Sequence, residues 1–213
     1  MAVRVDLNIS LDGFATTTDQ TPENPFGADW ARLTAAYVDT RTFRERVLHD
    51  DSGEGTTGVD DAYAKAYFAE VGAEIMGAGM FGLHTFPGDP EWRGWWGEEP
   101  PFHVPVFVLT HTPRAAIEFP NGTSFHFLEA TPEEALALAT DAAAGGDVRI
   151  GGGPSTIRPF LASGLVDRLH VAIAPILLGR GIRLWDELRG LEAGYTVTSE
   201  TAESGTIHLT FSR

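Results

Sequence analysis

Asp147-Val148-Arg149-Ile150-Gly151-Gly152-Gly153-Pro154-Ser155-Thr156, residues 147–156, is the stretch on which the fold turns. Residues 147–150 read as a short strand, and Pro154 suits the first turn of a helix. Three consecutive glycines between them let backbone approach a ligand without a Cβ in the way. The helix start presents N–H groups that lack partners within the helix, and the Ser155 and Thr156 hydroxyls add to them. The functional reading is a pyrophosphate cradle; the bland one is a tight strand-to-helix connection.

Working outward, strands and helices alternate. Val3, Val5, Leu7, Ile9 and Leu11 repeat with period two, which predicts a half-buried strand ended by Asp12-Gly13. Residues 15–28 read as loop, 30–48 as one helix, 50–58 as the most linker-like stretch and 60–71 as a second helix with its stop at Gly72. Strands are expected at 73–76, 104–110, 124–128 and 168–173. Thr131-Pro132-Glu133-Glu134 has the N-cap, N1 and N3 residues of a helix start. Segment 82–101 carries Pro87, Pro90, Pro100 and Pro101 with Trp92, Trp95 and Trp96, so it cannot be one helix. Residues 195–200 and 206–211 form a terminal strand pair. The pattern predicts a single α/β domain over 1–213: a mostly parallel central sheet, an antiparallel C-terminal edge and helices on both faces. The loop-rich region 15–60 reads as an elaboration over a site.

Composition narrows the function. There are no cysteines, which excludes a thiolate zinc site, a cysteine nucleophile and disulfides together. The formal net charge of −15 repels phosphate backbones, so no nucleic-acid partner is expected. No apolar run approaches the ~18 residues of a membrane span and the N-terminus has no long apolar core, so a cytoplasmic protein without a membrane partner is expected. None of the seven histidines has metal-ligand spacing, and no metal is expected. Gly77-Ala78-Gly79-Met80-Phe81-Gly82 matches G-x-G-x-x-G but runs into proline and tryptophan, so it reads as a strand-to-short-helix turn, not a Rossmann fingerprint.

Several of these stretches together resemble the dihydrofolate-reductase-like superfamily, and within it the C-terminal reductase domain of bacterial riboflavin-biosynthesis deaminase–reductases. The residues that carry the resemblance are 8–14 (NISLDGF), 75–81 (IMGAGMF), 106–113 (VFVLTHTP), 147–153 (DVRIGGG), 161–167 (LASGLVD) and 174–181 (APILLGRG). It covers nearly the whole chain, least closely 15–70. It implies NADPH laid across strand ends, a small-molecule substrate and, in many members, a homodimer. Gly77, Met80, Thr110, His111 and Gly151, Gly152, Gly153, Pro154, Ser155 and Thr156 would line the cofactor. Asp12, Gly13 and Phe14 would lie near nicotinamide and substrate, with Asp12 as candidate proton donor and Asp29 and Asp60 behind it. Asp12 has a second reading as the cap of its own turn. The family commonly has a basic residue where Ala78 stands, so His111 and Arg114 are the candidate partners of a cofactor 2′-phosphate. The activity implied is hydride transfer from NADPH to a heterocyclic or carbonyl compound, as in 5-amino-6-(5-phosphoribosylamino)uracil reductases. The alternative, suggested by Ala78 and Met80, is a non-catalytic dinucleotide- or ligand-binding module on the same fold.

Overall fold

A computed structural model describes residues 1–213 except Thr17 and Pro87; the readings that fall on these two residues lie outside the described residues. In chain order the elements are β1 (Val3–Ser10), β2 (Phe14–Thr16), α1 (Trp30–Leu33), α2 (Ala35–Val38), α3 (Arg41–Val47), α4 (Val59–Phe68), β3 (Val71–Gly77), α5 (Ala78–Phe81), β4 (Pro105–Leu109), β5 (Ile117–Glu118), β6 (Ser124–Leu128), α6 (Pro132–Ala142), β7 (Asp147–Gly151), α7 (Pro154–Ala162), β8 (Arg168–Ala174), β9 (Ile182–Arg183), β10 (Thr196–Thr201) and β11 (Ile207–Ser212). The main sheet is nine-stranded, in the order β10-β11-β8-β1-β7-β3-β4-β6-β5, and β2 pairs with β9. The β1–β7, β7–β3, β3–β4 and β4–β6 pairs are parallel, and β10–β11 is antiparallel. The expected fold class holds.

The chain divides into two compact units. The first comprises Met1–Val5 and Glu70–Arg168. Its core gathers Met76, Phe81, Phe102, Val106, Val108, Phe119, Phe125 and Phe127, with Trp92 and Trp96 packed on them. Segment 82–101, whose Pro87 is not described, makes turns and no helix among the described residues. Its apolar residues are what require it to fold back onto this core. Helix α6 begins as the sequence indicates: Thr131 accepts from the Glu134 N–H while the Glu134 carboxylate accepts from the Thr131 N–H.

The second unit comprises Asp6–Ala69 and Leu169–Arg213. Here the expected helix over 30–48 breaks into three, and threonines break it. Thr34 Oγ1 donates back to the Trp30 carbonyl and Thr40 Oγ1 to the Tyr37 carbonyl. Thr40 then accepts from the Phe43 N–H and caps α3. Segment 50–58 is not a linker. Asp50 pairs with Arg44 at 2.7 Å, and Thr56 exchanges backbone bonds with Asp39 and Arg41 at 2.9 Å. A Cβ on Gly55 would meet the Arg41 backbone at 2.7 Å, so this stretch is packed on α3. Helix α4 stops at Ala69, which is extended, and not at Gly72. Gly72 lies inside β3 in the first unit, where its missing Cβ makes room for the Ala143 carbonyl. Among the described residues no helix is long and apolar enough to cross a membrane, and no group of His, Asp and Glu could hold a metal.

Candidate functional site

In the first unit β3 and β7 lie side by side, with Met76 opposite Gly151. Their exits diverge. From β3 the chain continues through α5 to β4, the neighbour on one side. From β7 it runs through α7 to Asp167, whose N–H donates to the Val3 carbonyl at 2.9 Å and whose carboxylate accepts from the Val3 N–H at 2.8 Å. Val3 belongs to β1, the neighbour of β7 on the other side. Adjacent parallel strands whose exits part in this way open a crevice at their carboxyl ends, the usual ligand position in such sheets.

The glycines of that crevice serve close approach. Gly152 has φ +113°, a conformation L side chains rarely adopt. A Cβ on Gly77 would fall on Thr156 Oγ1; one on Gly151 would meet Glu74 Oε1 at 2.8 Å and Met80 Sδ at 3.3 Å. Gly153 is the N-cap of α7, and Pro154 occupies its first turn without any side chain capping it. Thr156 and Ile157 N–H both return to the Gly153 carbonyl. The structure therefore brings Gly77, Met80 and Gly151–Thr156 together around a helix start able to take an anion.

Helix α5 is four residues long and is held from outside. Trp95 Nε1 donates to the Met80 carbonyl and Trp92 Nε1 to the Phe81 carbonyl, each at 2.9 Å. Arg114 belongs to the same assembly. Its guanidinium lies 4.5 Å over the Phe127 ring and donates to the Trp92 and Asp89 carbonyls, and burial lowers its pKa. It is thus committed to packing, which removes it as a free cation for a 2′-phosphate. Thr110 follows β4 and bonds the Leu128 carbonyl at 2.8 Å. His111 next to it is 99% exposed, and its Nδ1 is 3.3 Å from Glu129 Oε1.

Asp12, Gly13 and Phe14 belong to the second unit. The Asp12 carboxylate accepts from Ser10 Oγ at 2.6 Å, the Leu178 N–H at 3.1 Å and the Gly179 N–H at 2.7 Å. Those bonds, the Ser10 one first, hold its pKa down at about 2. Such a group is ionised at neutral pH and has no proton to donate, so the cap reading is the one the geometry favours. It ties the β1–β2 turn to segment 175–179. Because the folded pKa lies below the ordinary 3.8, this tie stabilises above about pH 4 and is lost as pH falls through about 2. Asp12→Asn should accordingly flatten the acid limb of the melting temperature between pH 4 and 2 while leaving neutral-pH secondary structure in place; an acid limb identical to wild type would disprove the assignment. Gly13 has φ +87°. Phe14 is buried under the Arg183 guanidinium, 4.7 Å from its ring centre.

The other acids expected behind Asp12 are engaged as well. Asp29 bonds Arg180 at 2.8 Å and Arg32 at 2.8 Å, and these arginines, Arg180 first, lower its pKa. Asp60 bonds His208. Sequence reasoning missed two arrangements: the buried Glu74–Arg149 pair at the floor of the crevice, and the histidine pair His170–His208. A charge set between apolar residues in each of two strands was the available signal for the first.

A family model described as the RibD C-terminal domain matches residues 1–207. The chain belongs to that family. Among solved structures, this RibD C-terminal domain is similar to a putative riboflavin biosynthesis protein from Shewanella sp. PV-4, at 23% identity and TM-score 0.60, covering 100% of this chain and 99% of that one. A dihydrofolate reductase from Enterococcus faecalis complexed with NADP(H) matches at 13% identity and TM-score 0.51, over 100% and 96% of the two chains. A diaminohydroxyphosphoribosylaminopyrimidine deaminase/5-amino-6-(5-phosphoribosylamino)uracil reductase from Thermotoga maritima matches at 14% identity and TM-score 0.51, over 99% of this chain and 56% of that one. At these identities the likeness is one of fold. No curated protein matches.

Proposed function

We propose that this RibD C-terminal domain is a reductase that uses a reduced nicotinamide dinucleotide, NADPH first, to reduce a small heterocyclic or carbonyl compound. The observation that carries the proposal is the β3–β7 crevice. Glycine-permitted close packing, the uncapped start of α7 and Thr156 meet there, and this is the support for a pyrophosphate site. Family membership supports the reductase class. The substrate named for the Thermotoga relative, a phosphoribosylamino-uracil, is the first compound to try.

A bound cofactor would supply the hydride; the chain would bind it, orient it and exclude water. Gly77 and Gly151–Thr156 would hold the pyrophosphate. Asp12, ionised by its three donors, would fix the turn that carries Gly13 and Phe14. The proton that completes the reduction would come from another source. A homodimer, a cytoplasmic setting and a single functional domain over 1–213 belong to the same proposal.

The test is titration of NADPH and NADH by nicotinamide fluorescence, followed by oxidation against a substrate panel. Binding with turnover is expected. No binding of either cofactor overturns the proposal, and tight binding with no turnover on any substrate leaves the ligand-binding module in its place. Selectivity should be modest. With Arg114 committed, His111 is the remaining cation of the two expected, and Glu129 beside it disfavours phosphate. An exposed charge-assisted contact changes affinity by roughly several-fold. The NADH-to-NADPH ratio of dissociation constants should be several in the wild type and near one in His111→Ala. A large ratio that survives His111→Ala would exclude His111.

A further inference from the structure

In the second unit four side chains from four elements form one unbroken line. Asp6 Oδ1 on β1 lies 3.1 Å from His170 Nδ1 on β8. His170 Nε2 lies 2.9 Å from His208 Nδ1 on β11. His208 Nε2 lies 3.0 Å from Asp60 Oδ1 on α4. The imidazoles are nearly parallel, 11° apart, and Tyr63 of α4 covers both, stacked at 4.4 Å on His170 and 4.1 Å on His208. Asp60, His170 and His208 are buried. Around the line stand Glu200, opposite His208 on β10, and Asp61, which is turned to the Thr42 N–H and Lys65. No step of the proposed reduction uses any of these groups.

Each of the three contacts needs one proton between its two atoms. Two neutral imidazoles bring two. The third is extra, and the count is the same whether an imidazole or a carboxyl holds it. Removing one of the three breaks a link. A fourth proton sets two N–H groups, or an N–H and an O–H, against each other. We propose that the Asp6–His170–His208–Asp60 line is a three-proton clamp that docks α4 onto the strands of its unit, so that α4 is held most firmly near pH 6.5 and is released both by acid and by base.

The position of the optimum follows from proton balance. With α4 detached, water reaches the histidines while both carboxylates stay ionised. Ordinary histidines then carry on average three protons between them at about pH 6.5, nearly four at pH 5 and nearly two at pH 8. Opening therefore takes up a proton on the acid side and releases one on the alkaline side, and either displacement favours the open form. The shift of His208 has the sign the acid side requires. Burial, followed by the charge of His170, lowers its pKa against the pull of Asp60, so the folded array resists a fourth proton. Two of the clamp's parts, Asp60 and the Tyr63 cover, ride on α4. A further tie to the β10–β11 hairpin is the Val59 N–H donating to Glu203 Oε2 at 3.1 Å.

The experiment is amide hydrogen exchange on the full-length chain at pH 5, 6.5 and 8, corrected for intrinsic rates, with β3 and β4 amides as internal reference. Protection of α4 amides is expected to fall about tenfold from pH 6.5 in each direction, the signature of one linked proton of either sign. In His208→Gln, which leaves a single titrating ring, the two-sided fall should disappear. Protection that is flat or changes in one direction only in the wild type overturns the clamp, whether or not the variant folds. A two-sided profile that survives in a folded His208→Gln overturns it equally.

Discussion

Glu74→Ala should cost about 3–5 kcal/mol of folding stability, the usual consequence of stranding one half of a buried ion pair. Glu74 on β3 and Arg149 on β7 are register partners in the sheet, and their side chains meet in a direct ion pair. Glu74 is 0% and Arg149 1% exposed, and Arg149 is the largest side chain so enclosed. Removing the carboxylate leaves a guanidinium in a protein interior whose solvation it was built to share. The pair is not thereby a source of net stability. Replacing both residues by methionine is expected to come out near neutral, because the desolvation of two ions disappears with their attraction. Denaturant unfolding of Glu74→Ala and of the double methionine variant at neutral pH measures this; a Glu74→Ala protein within about 1 kcal/mol of wild type would show the interior to be wetter than the contacts indicate.

Gly77→Ala should both destabilise the first unit and impair dinucleotide binding. The backbone is not at issue, since Gly77 has an ordinary φ of −82°. Space is: the new methyl would land on Thr156 Oγ1. Either the threonine rotates out of the crevice or the first turn of α7 moves, and overpacking of this kind costs roughly 1–3 kcal/mol. Thr156→Ala in the same chain removes the offending atoms and should restore stability. It should not restore binding, because the hydroxyl proposed to meet the pyrophosphate is gone with them. Recovery of both properties would make Thr156 a packing residue only; recovery of neither would place the fault elsewhere in the turn. Gly152 is a poorer probe of the same idea. At φ +113° any side chain strains the backbone before a ligand is considered.

The readable parts of the sequence were those whose cause is local. Period two over residues 3–11 reports β1, and a Thr-Pro-Glu-Glu start reports α6, because both depend on neighbours a few residues apart. The glycine run at 151–153 was legible as a strand-to-helix turn for the same reason. What was not legible depends on distant partners. Thr34 and Thr40 break a helix by bonding back to carbonyls, a choice that competes evenly with a continuous helix until tertiary packing decides it. Segment 50–58 looks like a polar linker until Asp50 meets Arg44 and Thr56 meets α3. Arg114 reads from sequence as a candidate for the 2′-phosphate because the rings of Phe127 and Phe81, which hold it, come from other parts of the chain. His170 and His208 are 38 residues apart, and no spacing rule joins them.

The indoles of Trp92 and Trp95 hold the carbonyls of a turn 11 and 15 residues earlier, so the shape of that turn is inherited through residues outside it. Selection acting on segment 82–101 can tilt α5, and with it the Gly77 edge of the crevice, without altering any residue that would touch a ligand. Descendants of one ancestor could in this way diverge in what they accept while the glycine motif itself stays frozen. The aromatic strap is then the part of the molecule in which to look for the history of its specificity.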